Sequence, residues 1–142
     1  MTIIEWSDEY LIHVDKIDKQ HHRLFELLNN LENCGDVDSC AKKMAETIKG
    51  MVEYAHYHFA EEEKVMQLFN YPEIEKHKTS HKKLINQIKA FLIRLKKGKG
   101  VQSNELRQFL VDWLTNHIKT EDIPIGKHIA CTLKVKESSP AS

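Results

Sequence analysis

Met51-Val52-Glu53-Tyr54-Ala55-His56-Tyr57-His58-Phe59-Ala60-Glu61-Glu62-Glu63-Lys64-Val65-Met66 decides the fold. Its apolar residues recur every three or four positions, the period of an α-helix with one buried face. The line Met51, Ala55, His58, Glu62, Val65 runs along that face. Two of its five places hold an imidazole and a carboxylate where a core helix would carry Leu or Ile. The helix extends from about Ser39 to about Leu68, with Met44, Ile48 and Met66 on the same side, and Asn70-Tyr71-Pro72 closes it.

Outward from there, three more long segments carry the same period. The first runs from about Asp15 or Asp18, either of which suits an N-cap, to about Asn33, with Ile17, Leu24, Leu28 and Leu31 as its stripe and Phe25 and Leu27 beside it. The third runs from about Pro72 to Lys97 on Ile74, Leu84, Ile88, Phe91 and Leu95, and the fourth from about Ser103 to Lys119 on Leu106, Leu110, Trp113 and Leu114. A shorter helical piece is expected around Ile125–Leu133. Residues 1–14 read as an irregular arm whose Trp6, Tyr10 and Leu11 pack across the bundle. Four amphipathic helices with short connections predict an all-α, antiparallel up-down-up-down four-helix bundle. Residues 1–133 form this unit, and 134–142 are expected as a polar, frayed tail.

Composition agrees with a single soluble domain. The chain has 142 residues, within the usual ~100–200 for one domain. Lys plus Arg and Asp plus Glu are both 21, and this zero balance argues against nucleic acid and against an electrostatic membrane anchor as partners. No apolar run reaches the ~20 residues of a membrane span, and no signal peptide is visible. Cys34, Cys40 and Cys131 form no metal or redox motif, so a reducing cytoplasm is the expected setting; a Cys34–Cys40 bridge is left open.

The abundant residue is histidine, nine in all. His21 continues Ile17–Leu24–Leu28, His77 and His81 stand between Ile74 and Leu84, and His117 follows Trp113 and Leu114, so all four helices turn at least one imidazole inward. A single inward histidine is usually a hydrogen-bonded core residue. Five of them with a buried carboxylate, Glu62, would cost the core much of its driving force unless a metal drew them together. With Asp122 near His117 the candidates number seven, too many for one zinc and suited to two metals sharing carboxylates. Ferritin-like sites use Glu with ExxH pairs, which these positions lack; the set is histidine-rich instead. His13, His22, His56 and His128 fall off the stripes and are read as bystanders.

In order along the chain, Ile17-Asp18-Lys19-Gln20-His21-His22-Arg23-Leu24, His58-Phe59-Ala60-Glu61-Glu62-Glu63-Lys64-Val65-Met66, Pro72 with His77 and His81, and Trp113-Leu114-Thr115-Asn116-His117-Ile118 with Asp122 resemble the hemerythrin family. Trp6 also fits its bacterial branch. The resemblance covers roughly Trp6 to Leu133 and implies two non-haem iron ions, Fe2+/Fe3+, with an oxo or hydroxo bridge. It implies that His77, His81 and His117 fill one iron, that His21 and His58 leave an open position on the other, and that Glu62 and Asp122 bridge the two. Dioxygen is the implied ligand and partner, bound reversibly for carriage, storage or delivery without enzymatic turnover. The alternatives are oxygen or redox sensing through a partner, di-iron peroxidase or nitric-oxide-handling activity, and iron storage. A monomer or weak homo-oligomer is expected. Leu114 and Trp113, with Phe59 and Ile118 behind them, are candidate pocket walls. The spacing from His117 to Asp122 is five, one more than a helical turn supplies.

Overall fold

The computed structural model describes residues 4–31, 37–98 and 103–138, the side chains of 37–41, 103 and 135–138 excepted. The chain is a helical bundle: α1 Asp15–Asn29, α2 Val37–Leu68, α3 Ile74–Lys96, α4 Ser103–His117, a π-helical turn Ile118–Asp122, and α5 Ile123–Ser138. An arm with a short 3-10 turn at Asp8–Tyr10 precedes them. Helix α2 packs against both α1 and α3, and α1 also meets α4; Phe91 of α3 meets Phe109 of α4 at 5.3 Å, closing the bundle. Most of the predicted stripe forms the core: Ile17, Leu24, Leu28, Met44, Ile48, Met51, Ala55, Leu84, Ile88, Leu106, Leu110 and Leu114 are buried, whereas Val65, Ile74, Phe91, Leu95 and Trp113 are half-buried at its edge.

Local chemistry sets the helix ends. Asn70 takes a left-handed φ of 51° after α2, and the Tyr71 N–H donates back to the Met66 carbonyl at 2.9 Å. This is a Schellman closure, in which an asparagine does the work of the usual glycine. Gly98 ends α3 with φ 65°. Several boundaries differ from the sequence expectation. Pro72 lies in the turn before α3, which begins at Ile74. Helix α1 ends at Asn29; Glu32 and Asn33 lie outside the described residues, as does Cys34, and the Cys40 side chain is likewise not described. Helix α5, Ile123–Ser138, is longer than the piece expected around Ile125–Leu133.

Neither Asp15 nor Asp18 caps α1; Val14 occupies that position without a side-chain bond. Asp18 turns back on the arm, accepting the Ile12 N–H at 2.8 Å and the His13 N–H at 3.1 Å. His13 bends the chain there with φ 65°, a region that histidine enters more readily than most residues. Ile12 is 2% exposed, whereas Leu11, expected inward, is only half-buried. Gly126 explains how the arm reaches the bundle: a Cβ on it would stand 1.9 Å from the Ile12 carbonyl oxygen, so only glycine lets arm and α5 cross so closely. Trp6 and Tyr10 pack on Phe25 with centroids 5.1 and 4.9 Å away.

Candidate metal centre

The bundle period delivers five imidazoles to one level of the core. His21 on α1, His58 on α2, His77 and His81 on α3 and His117 on α4 are all buried, as is Glu62. His58 and Glu62 lie one turn apart, and so do His77 and His81. Asp122 arrives differently. In a regular α-helix a residue five positions on is turned about 140° from the first. Here the Ile123 N–H donates to the Ile118 carbonyl, five residues back, and the widened turn returns Asp122 to the face of His117. Its Oδ1 stands 3.1 Å from His117 Nε2. Pro124 supplies a local reason for the wide turn: it has no N–H to donate and its ring crowds the carbonyl four residues back. That proline was the available sequence signal. The arm packs over the same turn, where Lys119 pairs with Glu9 at 3.1 Å and lies over the Tyr10 ring at 5.1 Å.

The two carboxylates divide their oxygens between two sets of histidines. Glu62 Oε1 faces His77 Nε2 at 2.7 Å and His81 Nε2 at 3.1 Å. Its other oxygen faces His58 Nε2 at 3.3 Å and His21 Nε2 at 3.5 Å. Asp122 Oδ1 faces His77 Nε2 at 2.9 Å as well as His117, and Oδ2 faces His21 Nε2 at 3.1 Å. Every inward nitrogen is an Nε2. Two groups able to hold a cation result, Glu62 with His77, His81, His117 and Asp122, and Glu62 with His21 and His58.

Two of the outer nitrogens, those of His58 and His117, have hydrogen-bond partners, and a third, that of His81, faces a carboxylate at longer range. Gln20 Oε1 lies 2.7 Å from His58 Nδ1. Glu121 meets His117 Nδ1 and also accepts the Ser80 hydroxyl at 2.9 Å. Glu63 stands 3.5 Å from His81 Nδ1. Such contacts fix which ring nitrogen faces inward and raise its basicity. Periodicity did not flag these three residues; Gln20 is itself 5% exposed, and a buried amide beside a predicted ligand is the signal that was there to read. Phe59 lies parallel to the His81 ring at 3.8 Å and Trp113 nearly parallel to His117 at 4.3 Å, fixing both planes.

Electrostatics show what the cluster lacks. Burial opposes protonation of His21 and His77, but the adjacent carboxylates of Asp122 and Glu62 outweigh it and raise both to about 9. His117 is raised to about 10, burial again being overcome by Asp122. Burial lowers His58. Burial would raise the carboxyls, yet the imidazoles hold Glu62 and Asp122 well below their usual range. Even so, the inward Nε2 atoms of His21, His81 and His117, Oε2 of Glu62 and both oxygens of Asp122 are buried without a hydrogen-bond partner, as are the outward Nδ1 atoms of His21 and His81, and it is the inward group that converges on one space. Each such atom costs about 1–3 kcal/mol in a dry core. Cations in that space would satisfy every inward atom at once, and imidazole and carboxylate donors suit iron. The residues therefore fit the group.

The bystanders stay outside. His56 is exposed, His22 pairs with Glu26 at 3.1 Å on the surface and meets the edge of Trp6, His13 is exposed, and His128 Nε2 meets the Phe69 carbonyl at 2.8 Å. Cys131 is exposed and free.

Comparison with known proteins agrees with this picture. Residues 13–124 match the model of the hemerythrin HHE cation binding domain. The bacteriohemerythrin of Stenotrophomonas maltophilia is 35% identical over 122 residues, 86% of this chain and 78% of that one. That of Clostridium acetobutylicum is 35% identical over 124 residues, covering 82% and 94%. The myohemerythrin of Theromyzon tessulatum is 27% identical over 118 residues, covering 83% and 87%. A crystal structure of wild-type hemerythrin superposes with a TM-score of 0.78 at 25% identity, covering 89% of this chain and 97% of the other.

Proposed function

The chain belongs to the hemerythrin family, and we propose that it binds dioxygen reversibly at two non-haem irons held by His21, His58, Glu62, His77, His81, His117 and Asp122. The observation that carries this is the split of each carboxylate, one oxygen toward His77 and its neighbours and one toward His21. That arrangement suits two bridged cations and has no use around one. On this reading three imidazoles and two carboxylate oxygens serve one iron, and two imidazoles and two oxygens the other. The two-histidine side is one protein ligand short, which is where dioxygen has room. A ferrous pair would supply the two electrons that make uptake of dioxygen a reversible redox event.

The chain's own residues supply the rest. Glu62 and Asp122 offset cationic charge inside a core that would otherwise exclude it. Gln20 holds His58 with Nε2 inward. A small apolar cavity of about 30 Å3 lies among Leu24, Ala55, Phe59, Trp113 and Leu114; such a space admits an uncharged diatomic and stays dry. Among the described residues no helix is long and apolar enough to cross a membrane. The three cysteines without a pairing pattern suit the cytoplasm. Residues 1–133 are the functional unit in this reading, with 134–142 as its tail.

Metal analysis is the first test: two irons per chain are expected, and one metal, or zinc alone, would overturn the reading. The second is reversibility. The diferrous protein is prepared without air, given dioxygen, then purged. Recovery of the starting spectrum over repeated cycles supports carriage; irreversible oxidation, or turnover with peroxide, would assign the protein to the enzymatic alternative.

A further inference from the structure

Charge is unevenly shared along this chain. Helix α3 carries six Lys and one Arg against a single Glu, a surplus of six positive charges in a chain whose total is zero. Everything else is therefore acidic by the same amount. Part of the surplus borders a groove of about 490 Å3 between α2 and α3, where Lys78, Lys82 and Lys89 stand on one rim and His56 and Glu63 on the other. Lys82 and Lys89 are exposed. Lys78 meets Glu75 only at 3.7 Å. The floor is apolar, formed by Phe59 and Ile85, and it reaches the His81 ring. That ring points its Nε2 at Glu62 in the buried centre. One imidazole thus spans from the candidate irons to the bottom of a basic groove. The two other grooves over the same side differ: the charged residues lining the one beside Trp113 are Asp112 and Glu121, and the one beside His77 has Glu73 and Glu121 against a single Lys76.

We propose that the α2/α3 groove docks a small acidic electron-transfer protein, which reduces the centre through His81. The electron delivery rests on the di-iron reading above; the docking does not. The candidate ligands are 0–4% exposed, so a donor protein cannot touch the irons and needs a ligand that comes near the surface. A centre left with two ferric ions and no dioxygen cannot start another cycle. Two one-electron donors, each oxidised by one electron, return both to the ferrous state, and no atom is transferred. The three rim lysines lie within eleven residues of one helix, about 16 Å. A charged rim around a short apolar floor suits a redox encounter, whose interfaces are small, below about 1,200 Å2. Opposite charge accelerates such encounters and makes them salt-sensitive. A long polyanion would instead favour an extended basic stripe without an apolar floor.

Reduced plant-type ferredoxin, an acidic one-electron protein donor, is the probe, with the radical cation of methyl viologen as a small donor of opposite charge. Stopped-flow reduction of the oxidised di-iron protein by ferredoxin should fall about tenfold or more at low salt in the double variant Lys82→Glu, Lys89→Glu, and lose its salt dependence. Reduction by methyl viologen should not fall and iron content should be unchanged, and every rate should be unchanged in Lys127→Glu on α5. A binding measurement avoids electron transfer altogether. Carbodiimide cross-linking of the two oxidised proteins should join ferredoxin carboxylates to Lys78, Lys82 or Lys89. The proposal fails if charge reversal leaves the ferredoxin rate intact or lowers both donors alike, or if the cross-links map outside α3. It fails too if duplex DNA or anionic vesicles bind at these lysines and ferredoxin does not. Cross-links at α3 in a protein that does not bind dioxygen reversibly would uphold the docking and remove the carrier reading.

Discussion

The two sides of the buried centre are built differently. His77, His81 and His117 are each reached by a surface groove, and two of them are backed by carboxylates, Glu63 and Glu121. His21 and His58 line none of these grooves, are 0% and 1% exposed, and His58 is backed by the neutral amide of Gln20. The apolar cavity lies in the core between the two sides, bordered by Leu24 and Ala55 and by Phe59 and Trp113, the rings that stack on His81 and His117. One side thus faces water and charge, the other a dry core. A carboxylate behind an imidazole makes it the stronger donor, so under the proposed function the three-histidine side would hold its iron more firmly, and the neutral partner of His58 would suit the side proposed to take dioxygen.

The strongest challenge to this division is to remove what joins the sides. Glu62→Ala takes one oxygen from each, so iron content measured by plasma spectrometry should fall from two per chain to nearly none. Retention of a single tightly held iron would mean that the sides are independent. Next comes pH. His21 and His77 sit at about 9 and His117 at about 10 in the protein without metal, against about 6.5 in an unfolded chain. Their ion pairs contribute stability that is complete below 6.5 and is lost as pH rises through 9 to 10. The metal-free protein should lose several degrees of Tm between pH 7 and 10. The iron-loaded protein, whose Nε2 atoms carry no proton, should not, and calorimetry showing the same slope for both would break the assignment.

Gln20→Leu sharpens the comparison, since it touches the two-histidine side alone. One of the two irons should be lost to a chelator about 10–100 times faster, with the other unaffected; equal acceleration of both would show the sides to be coupled. The smallest effects belong to the bystanders. His56→Ala and His22→Ala should leave metal content intact and change stability by less than about 0.5 kcal/mol in denaturant titration. Iron loss in His56→Ala would mean that the helix face was misread.

Most of the candidate set was legible because burial on a helix leaves a period of 3.6 in the sequence. His21, His58, Glu62, His77, His81 and His117 each extend an apolar stripe, and all six are buried. The partners behind them were not legible. Gln20, Glu63 and Glu121 lie off the inward stripes, and polar side chains there ordinarily read as solvated. Ile12 was missed for a related reason: the arm has no period, so nothing in it distinguishes the buried residue from half-buried Leu11.

The sequence by itself determined a four-helix bundle, its core and six inward donors, because each follows from spacing along one element. Only the tertiary structure decided how Asp122 joins them, since one wide turn before Pro124 changes the angular step on which such spacing depends. It also decided that the basic residues of α3 border a groove ending at His81. Net charge is a sum, and a sum of zero cannot tell an even surface from one divided between a basic helix and an acidic remainder.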